Sequence, residues 1–267
     1  MHLRRSLVEE ELYRTIGVLL ASTEPDEILE GLEIVRGQVP AIGEAESRRL
    51  FELVFPLFYL DPLDLPGHVP VLEEAIAVVA GFGQWVIPVL IQSLESGDVK
   101  AQMAIAQTLG RMGADAIAPL IAEYEGCPEP GCGAFVLYAL GKIKSPEILA
   151  AVPVALDAAG APDLELRDSA TRAIGKFAES IPAGGLSEEM RHGLVAVLRK
   201  NLADSSPGVR AKAVRSLGKL ARYGHLTVSE HDQIKVALKR LLGEDEAFDW
   251  DRAYVVRKEA KEALQYV

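Results

Sequence analysis

Lys212, Arg215, Lys219 and Arg222 follow one another at spacings of 3, 4 and 3 residues. On a helix those spacings put all four on one face. A row of cations makes and breaks no bonds; it attracts carboxylates and phosphates. The chain around it is acidic, with 28 Lys/Arg against 39 Asp/Glu and a formal net charge of −11. Residues 1–100 hold 7 Lys/Arg against 17 Asp/Glu, whereas residues 191–240 hold 11 against 3. The basic stretch therefore predicts a local surface for an acidic partner. Overall acidity argues against nucleic acid as that partner.

Residue patterns for bond-making chemistry are missing. There is no nucleophile elbow, phosphate loop or metal-binding histidine pair, and the five histidines are scattered. The glycines at 81–83 and 184–186 lack the strand-to-helix context of a phosphate loop. Cys127 and Cys132, in GCPEPGC, lack the two further ligands that zinc takes. They read as loop thiols, with a local disulfide or redox pair as the alternative. The sequence implies no metal, no cofactor and no catalytic residue. The longest uncharged run, Ala75 to Leu94, is broken by Gly81, Gly83, Gln84, Pro88 and Gln92, so no membrane span is expected. Glu9, Glu10, Glu11 and Arg14 interrupt the apolar stretch that a leader peptide would need, so a cytoplasmic protein is expected.

The elements that must position the cations repeat along the chain. VRAKAVRSLGKL at 209–220 is echoed by AQMAIAQTLGRM at 101–112, LRDSATRAIGKF at 166–177 and VRKEAKEALQYV at 256–267. CGAFVLYALGKI at 132–143 matches in its second half, and VLEEAIAVVAGF at 71–82 is a degenerate copy. The glycine column falls at Gly110, Gly141, Gly175 and Gly218, with Ala80 and Gln265 in the outer copies. Periods of this size without strand signals indicate stacked helix pairs. Ala170, Ala213 and Ala260, with the glycines, let neighbouring second helices approach closely, while Ile174, Leu217 and Leu220 fill the shared core.

First helices precede these copies at 87–96, 117–126, 148–158, 194–204 and 234–244, with apolar residues at 3–4 spacing. Ser145-Pro146 and Ser206-Pro207 read as helix starts, as does Ser187 before two glutamates. Ser229 with Asp232 resembles a capping box. Residues 1–47 lack the repeat and carry a first helix and a second over about 24–36, forming a cap or one more degenerate unit. Residues 48–267 form the array. Phe51, Phe55, Phe58 and Tyr59 are expected to pack beneath the cap, with Pro56 kinking their helix. In the acidic run 244–251, Trp250 is expected to pack on the last repeat, the alternative being a binding anchor with Phe248.

The pattern Asp, Val-Arg, small, small-Leu-Gly-Lys-Leu from Asp204 to Leu220 resembles a HEAT repeat, specifically the short HEAT-like repeats of the phycobilisome-lyase type. The resemblance covers about residues 48–267. It implies an all-α fold, a right-handed α-solenoid of stacked antiparallel helix pairs in about five or six repeats. It also implies inter-repeat ladders of Asp and Arg, matched by Asp163/Arg167, Asp204/Arg210 and Asp251/Arg257. Gln102 and Gly133 depart from that pattern. Deoxyhypusine hydroxylases share the architecture but carry His-Glu pairs absent here, and HEAT-like DNA glycosylases are basic. The resemblance further implies that second helices line a concave groove. Arg111, Lys142, Lys176 and Lys219 then form one row, and Gln107, Tyr138, Arg172 and Arg215 the next. The expected function is a non-catalytic interaction module. An acidic or extended protein segment would bind through Tyr138, Lys142, Arg172, Lys176, Lys212, Arg215, Lys219 and Arg222. The alternative is a lyase-like or enzyme-accessory subunit holding a small molecule in the groove.

Overall fold

The computed structural model describes residues 2–94, 98–127, 129–244 and 249–267, with side chains from residue 10 onward. Glu95 and Ser96, which end one expected helix, and Phe248 lie outside the described residues. The chain divides into two units, Met1–Met112 and Gly113–Val267.

The first unit holds α1 (His2–Leu20), α2 (Pro25–Gln38), α3 (Glu44–Val54), α4 (Val69–Ala80), α5 (Val86–Ser93) and α6 (Val99–Met112). Helices α2, α4 and α6 pack in turn as one layer, with α1 against α2 and α5 against α6. Pro56, which lacks a backbone N–H, follows the end of α3, and Phe55–Tyr59 continue as a 3₁₀ turn. That turn seats Phe58 in the core with no exposed surface. Phe51 is also buried, and Phe82 and Trp85 stack edge-on against it. Phe55 is half-buried and Tyr59 exposed. The aromatic cluster is thus core on one side only.

The second unit holds α7 (Ile117–Gly126), α8 (Pro130–Leu140), α9 (Val152–Ala159), α10 (Leu164–Ser180), α11 (Glu188–Asn201), α12 (Pro207–Arg222), α13 (Val228–Leu241) and α14 (Tyr254–Ala263). Helices α8, α10, α12 and α14 form the second-helix layer, each packed on the next. Helices α7, α9, α11 and α13 pack on them as the first helices of the pairs. The described residues hold no strand, only an isolated bridge between Leu242 and Trp250. The fold is the all-α solenoid of stacked helix pairs that the repeat predicts.

Small residues set the spacing of the second-helix layer. Ala170, Ala213 and Ala260 are fully buried. A Cβ on Gly175 would collide with the Ser216 hydroxyl and come within 3.0 Å of its Cα. A Cβ on Gly218 would lie 2.8 Å from that of Ala263. Helix α12 is therefore pressed against α10 on one side and α14 on the other. Gly141 differs: a Cβ there would meet nothing closer than 3.4 Å. It ends α8 rather than admitting a neighbour.

The Asp–Arg ladder joins successive repeats. Arg167 Nε donates to Asp204 at 2.6 Å, and Arg210 Nε to Asp251 at 2.6 Å. The same arginines tie down the loop before their own helix. Arg167 Nη1 donates to the carbonyls of Ala161, Pro162 and Asp163, and Arg210 Nη1 to those of Asp204 and Ser205. Each aspartate also accepts a backbone N–H, from Ser206 and Ala253 respectively, at 2.8 Å. Burial alone would push both carboxyls up, but the arginine and backbone hydrogen bonds together outweigh it and hold them below the usual range. Where Gln102 stands in the arginine's place, its amide donates to the Leu94 carbonyl at 2.6 Å instead.

Helix starts follow local chemistry with two corrections. Ser145 accepts from the Glu147 N–H and Ser187 from the Met190 N–H, as expected. Ser206 is the N-cap by position alone: its side chain accepts no helix N–H, and its own N–H donates to Asp204. The capping box is Thr227 with Glu230, not Ser229 with Asp232. The N-cap of α13 lies two residues before that expected pair, and the longer glutamate accepts the Thr227 N–H at 2.8 Å.

Two stability outcomes follow. Gly175→Leu overpacks the α10–α12 contact, which costs about 1–3 kcal/mol and lowers Tm by several degrees. Gly141→Ala leaves Tm within about 2 °C, since nothing crowds the added methyl. Equal effects in thermal scans would refute this account of the glycines. Asp251→Asn breaks a largely buried pair and costs about 3 kcal/mol. The native Asp204 and Asp251 contribution is full well above the unfolded aspartate value of about 3.9 and is lost as pH falls below it. Acid titration of Asp251→Asn should lack part of that loss.

Candidate functional site

All eight cationic-face residues lie on the second-helix layer of the Gly113–Val267 unit: Tyr138 on α8, Lys142 just beyond it, Arg172 and Lys176 on α10, and the other four on α12. Five of them converge. Arg172, Lys176, Lys212, Arg215 and Lys219 line a cleft of about 270 Å³, together with Ser216. Tyr138 and Lys142 flank it: Arg172 lies 5.1 Å and Lys142 4.8 Å from the centre of the Tyr138 ring. Both are cation–π distances. Arg222 stands apart, 5.1 Å from the Tyr266 ring. It edges a second cleft of about 410 Å³, which shares Arg215 and Lys219 with the first.

Repulsion among these cations is offset by carboxylates from adjoining helices. Lys212 pairs with Asp168 of α10. Glu179 of α10 receives Lys219 at 2.5 Å and Lys176 at 3.1 Å. Arg215 donates to Glu259 of α14, with Nε at 2.8 Å. Lys212 and Arg215, which the repeat pattern alone leaves unexplained, therefore join neighbouring helices. Among the described residues, Lys142, Arg172 and Arg222 have no carboxylate partner.

Sequence reasoning missed all three carboxylates, although α10 carries a signal. Asp168, Arg172, Lys176 and Glu179 follow at spacings of 4, 4 and 3, which places acid and base on one face. Glu259 gives less warning, since its partner lies a full repeat away.

The electrostatics of the cleft are asymmetric. Burial pushes the Lys219 ammonium below its usual value, and Lys176 and Arg215 add to that effect while Glu179 opposes it. Burial raises the Glu179 carboxyl, yet hydrogen bonds from Lys219 and Lys176 outweigh that and hold it low. A simple ion pair would raise its lysine; here both partners are lowered, because Lys219 sits deep among other cations. The Glu259 bond holds Arg215 above its usual value.

Two other expected features resolve differently. Cys127 and Cys132 are joined in a disulfide rather than standing as loop thiols. Cys127 closes α7 and Cys132 lies in the first turn of α8, so the tight connection brings their Cα atoms to 5.9 Å, within disulfide range. Glu123 Oε1 lies 3.9 Å from the Cys132 sulfur. The bonded pair offers a metal no thiolate. Trp250, expected to pack on the last repeat, covers Gly243 on one side but stays 50% exposed.

No known family model matches the sequence, and no curated protein matches it. Solved structures do resemble it. An engineered protein is 20% identical, with 96% of each chain covered and a TM-score of 0.51. The complex of CpcE and CpcF of phycocyanin lyase from Nostoc sp. is 21% identical over 68% of this chain and 99% of that one, with a TM-score of 0.54. Kap121p, bound to Nup53p, is 12% identical over 95% of this chain and 29% of its own, with a TM-score of 0.60. At these identities the likeness is one of fold, and that fold is the HEAT-like repeat.

The buried amine gives a direct check on the cleft. Titration of ¹³C-dimethylated lysines should show the Lys219 signal losing its proton below the ordinary lysine value of about 10.4. An ordinary value would place that amine in bulk solvent.

Proposed function

We propose that this HEAT-like repeat protein is a non-catalytic interaction module, and that the second-helix face of residues 113–267 binds an acidic, extended segment of another protein. One observation carries the reading: five cations from two adjacent helices line a single cleft, and every carboxylate bonded to them stands outside its lining. Tyr138 adds an apolar surface beside Arg172. Repeat stacks use extended surfaces of this kind for partners. Kap121p, of similar fold, is known in complexes with Nup53p and Pho4p. The likeness to a phycocyanin lyase adds no reaction to this site.

The array is taken to run from residue 48 to 267, with 1–47 as a cap or degenerate repeat; the packing of α1 on α2 supports a repeat-like pair. Among the described residues no helix is long and apolar enough to cross a membrane. Cytoplasmic placement belongs to the proposal as well. The Cys127–Cys132 disulfide counts against that placement, since disulfides persist mainly in oxidising compartments. Thiol titration of protein from its native compartment should find two free cysteines if the placement is right and none if it is wrong.

The structure also selects the residues to test. Reversing Arg215 would strand Glu259, and reversing Lys219 would set a new carboxylate against Glu179, so their variants report folding as well as binding. Arg172 and Lys142 carry no such partner. A fluorescein-labelled 12-residue Asp/Glu-rich peptide should bind the native protein, with affinity falling as salt rises. Arg172→Glu with Lys142→Glu should weaken it at least tenfold and flatten the salt dependence. Lys235→Glu, on the exposed side of α13, should leave it within about threefold. Equal losses at both places would mean attraction to charge in general and would overturn the proposal.

A further inference from the structure

We infer that the cleft between α10 and α12 is a site for a phosphomonoester, the phosphoserine or phosphothreonine side chain of the bound segment. The inference rests on the reading of this face as a peptide-binding surface and names the group that anchors the peptide.

Charge balance is the first argument. The cleft is lined by Arg172, Lys176, Lys212, Arg215 and Lys219, and the carboxylates bonded to these cations are Asp168, Glu179 and Glu259. Five positive charges face three bonded carboxylates, and Glu262 of the adjoining cleft adds a fourth negative charge that acts on Arg215 without bonding it. Among the described residues, Arg172 alone of these cations is left with no carboxylate. A phosphomonoester carries about −1.5 to −2 near pH 7 and offers three strong acceptor oxygens. A carboxylate carries one charge and offers two acceptors, fewer than the N–H donors that line the cleft.

Size and donor geometry agree. A cleft of about 270 Å³ has room for one such anionic group. Arg172 is exposed and has no carboxylate among the described residues, which leaves its planar fork available for two parallel bonds to one phosphate. The lysines and Arg215 surround that fork from both helices. The Ser216 hydroxyl is committed to the Thr171 carbonyl at 2.8 Å and takes no part. Lys219, whose ammonium is held down by burial and by Lys176 and Arg215, would regain an ordinary environment beside an anion.

The surroundings favour a side chain of a peptide over a free ion. On one side Arg172 stacks on Tyr138; on the other, the adjoining cleft of about 410 Å³ reaches Arg222 and Tyr266. A chain carrying the phosphate can continue past an aromatic ring in either direction.

The test uses the full chain and the acidic 12-residue peptide with phosphoserine, glutamate or serine at its centre. Fluorescence anisotropy should place the phosphoserine form at least tenfold tighter than the glutamate form. Arg172→Lys, which keeps the charge but removes the fork, should cut that advantage below threefold. Inorganic phosphate should displace the phosphoserine peptide. Equal affinity of the phosphoserine and glutamate peptides would overturn the phosphate site while leaving the acidic-segment reading intact. Failure of all three peptides to bind would overturn both. Binding to phosphatidic-acid vesicles with no phosphopeptide binding would assign the anion to a membrane and overturn the inference.

Discussion

The closeness of α12 to its two neighbours is the constraint on which the rest of the second unit depends. Gly175 faces Ser216, and Gly218 faces Ala263, at distances that admit no added carbon without a shift. Close-packed interiors do not deform smoothly, so these contacts fix the helices' separation. That separation determines which long side chains can meet. Arg167 reaches Asp204, Arg210 reaches Asp251, and Arg215 reaches Glu259, each pair spanning one repeat to the next. A bulky residue in the glycine column would loosen the core and the ion pairs together.

The same spacing concentrates charge. The repeats of α10 and α12 each present a cation after the glycine position and another four residues earlier, Lys176 with Arg172 and Lys219 with Arg215. Stacking brings the pair on α10 and the cations on α12 into the lining of one cleft. Like charges at such range repel, and a row of unpaired cations would oppose the packing that the glycines permit. Asp168, Glu179 and Glu259 answer this by bonding four of the five cations from outside the lining. The compensation is incomplete at Arg172, which rests on Tyr138 instead. One arrangement thus holds enough carboxylates to let the helices pack and too few to bond every cation of the cleft.

Much of this was legible in the sequence, and the limits have physical causes. Periodicity located every second helix, because a buried face must recur at helical spacing and the repeat makes it recur again a unit later. Ser145 and Ser187 were readable as caps because a cap acts within three residues. The Thr227–Glu230 box was missed because Ser229 and Asp232 mimic the same spacing, and only the position of the first helical turn separates them. The ladder residues came from resemblance, but their direction did not. Asp204 lies close to Arg210 in sequence, yet it receives the Arg167 side chain, while Arg210 bonds its carbonyl and passes on to Asp251. Three-dimensional proximity of residues about 40 positions apart leaves no local trace.

The candidate site shows the same division more sharply. Lys212, Arg215, Lys219 and Arg222 are read from spacing on one helix face, and Lys142, Arg172 and Lys176 from their columns in the repeat. What the spacing could not reveal was which of them the fold had already engaged. The repeat pattern leaves Lys212, Arg215 and Arg222 unexplained, and of these Lys212 and Arg215 hold neighbouring helices. Arg172, one member of a row in the sequence, became distinct only once Asp168 and Glu179 were seen to bond the cations around it and not Arg172 itself. In a repeat protein a charged column is written by the architecture. The member of that column available to a partner is the one whose neighbours have found carboxylates and which has found none.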